Sequence, residues 1–110
     1  MNSSEIKFNI ELNEEKYIDK IRWESTDKPS DSPDLTDAIA ISIWDPAQKN
    51  TMRIDLWSKD MTAFEMKRFT VDSIGGLAES LRSATGDHKM ADLMQELCQT
   101  LVKHVEKSEN

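Results

Sequence analysis

The sequence predicts an α+β fold: a four-stranded antiparallel sheet followed by two C-terminal helices packed on one of its faces, in the order β-β-β-β-α-α. Three observations predict it. Apolar residues alternate with polar ones through most of the first half of the chain. They recur at helical spacing through the second half. The period changes inside one stretch, residues 50–69, where Met52, Ile54 and Leu56 alternate with Arg53, Asp55 and Trp57 and the alternation then stops after Asp60. Alternation marks a strand with one buried face, and a 3.6-residue recurrence marks an amphipathic helix.

The strands are taken first. In residues 5–12, Ile6, Phe8, Ile10 and Leu12 share a face. A polar connection at 13–16 leads to a second strand from Tyr17 to about Glu24. Pairing Leu12 with Tyr17 sets Ile10 against Asp19, Phe8 against Ile21 and Ile6 against Trp23, with Asp19 as the one misfit. Residues 25–36 are rich in proline, aspartate and hydroxyl side chains, and read as a long, exposed, mobile loop. The third strand, 38–44, carries Ile39, Ile41 and Ile43 on one face, and the turn 45–50 has Pro46 at its early corner. Pairing Ile43 with Met52 sets Ile41 against Ile54 and Ile39 against Leu56, so that six apolar residues share one face. The opposite face then carries Trp44, Arg53, Asp55 and Trp57.

Thr62 followed by Glu65 has the form of a capping box, in which each side chain satisfies the other residue's backbone N–H. It opens a helix over 63–84 with Met66, Phe69, Ile74, Leu77 and Leu81 in a broad stripe. Gly75 and Gly76 lie mid-helix, where each costs about 1 kcal/mol relative to alanine. They imply close approach of the backbone to the sheet or to the second helix, or a kink. Gly86 stops this helix. Asp87 caps a second, over 88–106, with Met90, Leu93, Met94, Leu97, Leu101 and Val105 at helical spacing. A frayed tail follows from residue 107.

The chain of 110 residues reads as one domain, 1–110, and carries a net charge of −7. An acidic chain is a poor partner for nucleic acid or an anionic membrane, both of which select clustered Lys and Arg. Cys98 is the sole cysteine, so no internal disulfide forms, and a packed thiol suits a reducing compartment. No basic start leads into an apolar run, and no stretch approaches the roughly 18 apolar residues of a membrane span. The expectation is a cytoplasmic protein without direct membrane insertion.

Chemistry-bearing constellations are missing from the sequence. His88 and His104 lie too far apart on one helix to ligate one metal ion. No phosphate-cradling glycine loop, nucleophile elbow, HExxH or CxxC occurs. The expectation is no catalytic, cofactor-binding or metal-binding residue, no cofactor, and no enzyme. The feature left over is Trp44 and Trp57 on the face turned away from the helices, with Arg53 and Asp55 beside them. Aromatic residues are enriched where proteins meet. The four read as a partner-contact surface, most simply a homodimer contact. The alternative is that the loop 25–36 folds over the indoles, or that Trp57 turns inward.

The segments Ile41-Ser42-Ile43-Trp44-Asp45, Arg53-Ile54-Asp55-Leu56-Trp57-Ser58-Lys59-Asp60-Met61 and Glu65-Met66-Lys67-Arg68-Phe69 resemble the gliding-motility protein family GldC of the Bacteroidota. Glu5-Ile6-Lys7-Phe8, Ile21-Arg22-Trp23-Glu24 and Ala84-Thr85-Gly86 join that resemblance, which covers nearly the whole chain. The stretch Thr70 to Gly76 is less apolar and more glycine-rich than the family pattern, and the loop 25–36 is this chain's own. The resemblance implies a small cytoplasmic, non-enzymatic accessory or adaptor protein of the gliding apparatus. Its partners would be proteins of that machinery or a second copy of itself. It brings no catalytic or cofactor residues. The order of elements also looks like the export chaperone SecB, which implies a holdase-like role for secreted surface proteins as the alternative. An uncatalogued hydrolase is a third class, with no constellation to support it.

Overall fold

The hairpin of β1 (Ile6–Leu12) and β2 (Ile18–Ser25) begins a computed structural model that describes residues 2–29 and 31–108. Its turn is built by Asn13, whose side-chain oxygen accepts from the N–H groups of Glu15 (2.9 Å) and Tyr17 (3.0 Å). Lys16 takes the left-handed conformation there, at φ 68°. The register is Phe8 opposite Trp23 and Ile10 opposite Ile21, two residues away from the predicted pairing. One residue of the shift lies in the turn, which is longer by one so that Leu12 faces Ile18 rather than Tyr17; the other is a bulge, since Glu11 faces Lys20 and Asp19 is the extra residue. Beyond the bulge the slip is even, which keeps Ile21 and Trp23 on their predicted face, while Ile18 takes the place opposite Leu12 predicted for Tyr17. Ile21 is fully buried at the centre of this sheet.

The four-stranded sheet is not what forms. The strands divide into a three-stranded sheet, β1-β2-β3, with β3 at Leu35–Thr36, and a two-stranded sheet of β4 (Ala38–Asp45) and β5 (Asn50–Trp57). The chain runs extended through β3 and β4 with a single break at Asp37. Thr36 pairs with Ile21 and Leu35 with Arg22. Continuing that register would set Ile39 against Ile18. However, the Ile18 carbonyl accepts from the Lys59 N–H (2.8 Å), while the Asp37 carbonyl accepts from the Ser58 N–H (2.7 Å). The chain leaving β5 therefore occupies the position on β2 that β4 would need. Ser58 is buried, and its hydroxyl donates to Asp37 Oδ1 at 2.8 Å.

The segment 25–36 is tied down more than its composition predicts. Lys28 Nζ lies 4.4 Å from the Trp23 ring centroid, donates to the Trp23 carbonyl at 3.1 Å and pairs with Asp34 at 3.0 Å. The Trp23 N–H returns to the Asp34 carbonyl at 2.9 Å. Ser30 falls outside the described residues. In β4–β5 the predicted register holds at every pair, with Ile43 on Met52, Ile41 on Ile54 and Ile39 on Leu56. Asp45 Oδ1 accepts from Ala47 and Gln48 in the turn, and Lys49 is left-handed at φ 58°.

Helices α1 (Ala63–Thr85) and α2 (His88–Ser108) form an antiparallel hairpin. Both halves of the capping box are made: Glu65 N–H donates to Thr62 Oγ1 and Thr62 N–H to Glu65 Oε1, each at 3.1 Å. Gly86 ends α1 at φ 72°, and Asp87 Oδ1 accepts from the Met90 N–H. Arg82 clamps the loop end, bonding Asp92 at 2.9 Å and His88 Nδ1 at 3.1 Å. Along α2, Ala91, Cys98 and Val105 are buried every seventh residue, with Met94 and Leu101 half-buried between them. This is the seam facing α1. A Cβ on Gly75 would lie 3.9 Å from Cys98 Sγ, which identifies Gly75 as the place where the helices approach. Cys98 is buried and its thiol points at the Val71 carbonyl, 3.7 Å away. The predicted frayed tail is helical through Ser108, and residues 109 and 110 lie outside the described residues. By contact the chain divides into two compact units, Met1–Met61 and Thr62–Asn110.

Candidate interaction surface

Cross-strand neighbours in β4–β5 share a face, so the observed register puts Trp44, Arg53, Asp55 and Trp57 on one side of the hairpin. The two middle residues are fixed to each other. Arg53 Nε donates to Asp55 Oδ2 at 3.2 Å and Nη2 to Asp55 Oδ1 at 2.7 Å, a two-pronged pairing. The remaining guanidinium nitrogen donates to the Ser42 hydroxyl across the ladder. The hydrogen bond to Arg53 holds the Asp55 carboxyl below its ordinary range, and the same bond raises the Arg53 guanidinium. Both side chains remain substantially exposed.

The tryptophans are not brought together. Trp44 pairs with Thr51 beside the turn, and Trp57 pairs with Ala38 at the other end. Those two rows are six positions apart along β5, about 20 Å at the rise of a strand. Trp44 is 59% exposed, whereas Trp57 is half-buried. The residues between the indoles are Ser42, Arg53, Ala40 and Asp55. The surface is therefore a charged strip with one exposed indole at its turn end.

Several uncovered apolar residues were not singled out as a surface by the sequence. Ile43, Met52 and Ile54 on the opposite face of the hairpin are each about half exposed, as is Leu12 on β1, and Ile6 is more exposed still. In the helical hairpin, Leu77, Met90, Leu93 and Leu97 lie outside the seven-residue seam and are similarly exposed. The signal was available in the width of the stripe, because a two-helix seam uses only the positions of Ala91, Met94, Cys98, Leu101 and Val105. A shallow groove of about 320 Å³ also opens between the N-terminal part of α1 and the C-terminal part of α2, lined by Phe64, Arg68, Val71, Val102 and Val105.

Among the described residues, no group of three or more His, Cys, Asp or Glu side chains is placed to hold a metal ion. Lys59 sits between Asp19 and Asp60, each at 3.2 Å, and those two hydrogen bonds raise its ammonium above the ordinary range. No helix of the described residues is long and apolar enough to cross a membrane. A family model described as gliding motility-associated protein GldC-like matches residues 18–107. No curated protein matches the chain. No solved structure matches it either.

Proposed function

We infer a function from one premise: the chain belongs to the gliding motility-associated GldC-like family. Membership ties it to gliding motility. Within that process the reading is a cytoplasmic, non-enzymatic accessory or adaptor protein that binds protein components of the gliding machinery. It uses no cofactor and does not act on nucleic acid or insert into a membrane. The family match is the observation that carries this role. The net charge of −7 supports the exclusion of nucleic acid. Trp44, Arg53 and Asp55 support protein binding, because an exposed indole beside an ordered ion pair offers both contact area and orientation.

One observation favours a second reading. Apolar side chains stand uncovered on the strands and on the helical hairpin, and a holdase-like chaperone for secreted surface proteins needs surfaces of that kind. The two readings separate in two measurements on the purified chain. An adaptor is captured by one or two membrane-anchored or folded components in a pull-down from a gliding bacterium and leaves the aggregation of unrelated unfolded proteins unchanged. Suppression of aggregation of several unrelated proteins at near-stoichiometric amounts replaces the adaptor with the holdase.

A further inference from the structure

The outer edge of β5 is open. No strand lies against it among the described residues, and every residue from Asn50 to Asp55 is exposed. It contains no proline and no bulge, two of the devices by which edges are normally blunted, and its two charges, Arg53 and Asp55, are of opposite sign. A two-stranded hairpin alone is also marginal in water, and further strands or a packed face are what stabilise it. We propose that β5 pairs antiparallel with β5 of a second copy across a two-fold axis at Ile54, joining two hairpins into one four-stranded sheet.

The charge pattern selects this register. Centred on Ile54, the pairing sets Arg53 opposite the partner's Asp55 and Asp55 opposite the partner's Arg53. Ile54 meets the partner's Ile54, and Met52 meets the partner's Leu56. Moving the axis by one residue to Arg53 sets two guanidinium groups against each other. Moving it to Asp55 sets two carboxylates against each other. Half-residue shifts turn the apolar face of one strand against the polar face of the other. Opposite charges facing across a ladder stabilise it, and like charges destabilise it. The outer edge of β4, Ala38–Asp45, has no such pattern: its sole charge is the terminal Asp45.

The pairing also changes the tryptophan surface. Within one hairpin Trp44 and Trp57 lie about 20 Å apart. In the joined sheet Thr51 faces the partner's Trp57, so Trp44 and the partner's Trp57 fall on one row, two strand spacings or about 10 Å apart. The geometry and charge of β5 carry this pairing independently of the role in motility.

The test uses the full chain. Sedimentation velocity is expected to give a dimer at micromolar concentration. Asp55→Arg and Arg53→Asp are each expected to weaken it at least about tenfold, since each sets like charges in opposition twice across the axis. The exchanged variant Arg53→Asp with Asp55→Arg is expected to restore it. Residues opposite one another sit at disulfide distance. Under oxidation, Ile54→Cys is therefore expected to give a covalent dimer, with the buried Cys98 left in place. Arg53→Cys and Asp55→Cys are expected to cross-link when the two chains are mixed and not when each is alone. A chain that stays monomeric overturns the proposal. So does a dimer that the charge exchange fails to restore, or one in which Ile54→Cys does not cross-link, as pairing through β4 or the helices would give.

Discussion

Asp55 accepts through both carboxylate oxygens from a guanidinium two residues away on the same strand. Its folded pKa is lowered, so whatever stability the pair contributes is present above the ordinary carboxylate range. It is lost as pH falls through the lowered folded value. An NMR titration of the side-chain carboxyl should give a midpoint below that of an ordinary aspartate, and Arg53→Ala should return it upward. A midpoint that does not move with Arg53 would assign the shift to another cause. Thr62 offers a second check at this scale. Its hydroxyl accepts the Glu65 N–H at the start of α1, and Thr62→Ala should cost about 0.5–2 kcal/mol in denaturant unfolding. Both residues were legible in the sequence because cap and alternation are local patterns. Asp19 was legible only as a misfit. Its place in a bulge depends on how Asn13 closes the turn, which spacing alone does not reveal.

At the scale of elements, the helical hairpin was read almost to its ends, because Thr62, Gly86 and Asp87 mark its boundaries with residue types that act locally. The glycine pair divides into two cases. Gly75 lies at the approach to Cys98, while a Cβ on Gly76 would meet nothing within 4 Å. Gly76→Ala should therefore raise stability by about 0.8–1 kcal/mol, the full difference in helix propensity. An unchanged unfolding midpoint would mean that Gly76 has a contact partner. The register of β4–β5 was legible because six apolar residues on one face leave no other in-phase pairing with the turn at 45–50. The split of the sheet was not. It depends on the Lys59 N–H reaching the Ile18 carbonyl, a contact between residues far apart in the chain and invisible to any period. Leu35 and Thr36 looked like loop for the same reason, since two paired residues produce no alternation.

At the scale of the molecule, the family and the shared face of Trp44 and Trp57 were legible, and the distance between the indoles followed once the register was known. Their unequal burial was not legible, because it depends on what surrounds each end of the hairpin. That inequality predicts a divided outcome. Trp44→Ser should leave the unfolding midpoint within about 0.5 kcal/mol, as expected of an exposed site, while reducing capture of the protein partner. Trp57→Ser should lower stability as well. Circular dichroism melts and a pull-down on the same two variants check it, and equal stability losses would make Trp44 part of the core.

The extensive pairings, β1 with β2, β4 with β5 and α1 with α2, all join elements that follow one another in the chain. Closing such pairs requires only short loops, so little entropy is lost before contacts reward it. The chain should refold within milliseconds, and each hairpin can form as it leaves the ribosome, before the next is synthesised. The bond from Lys59 to Ile18 closes the stretch from the start of β2 to the end of β5, so it belongs to a late step, one that waits for both strand hairpins.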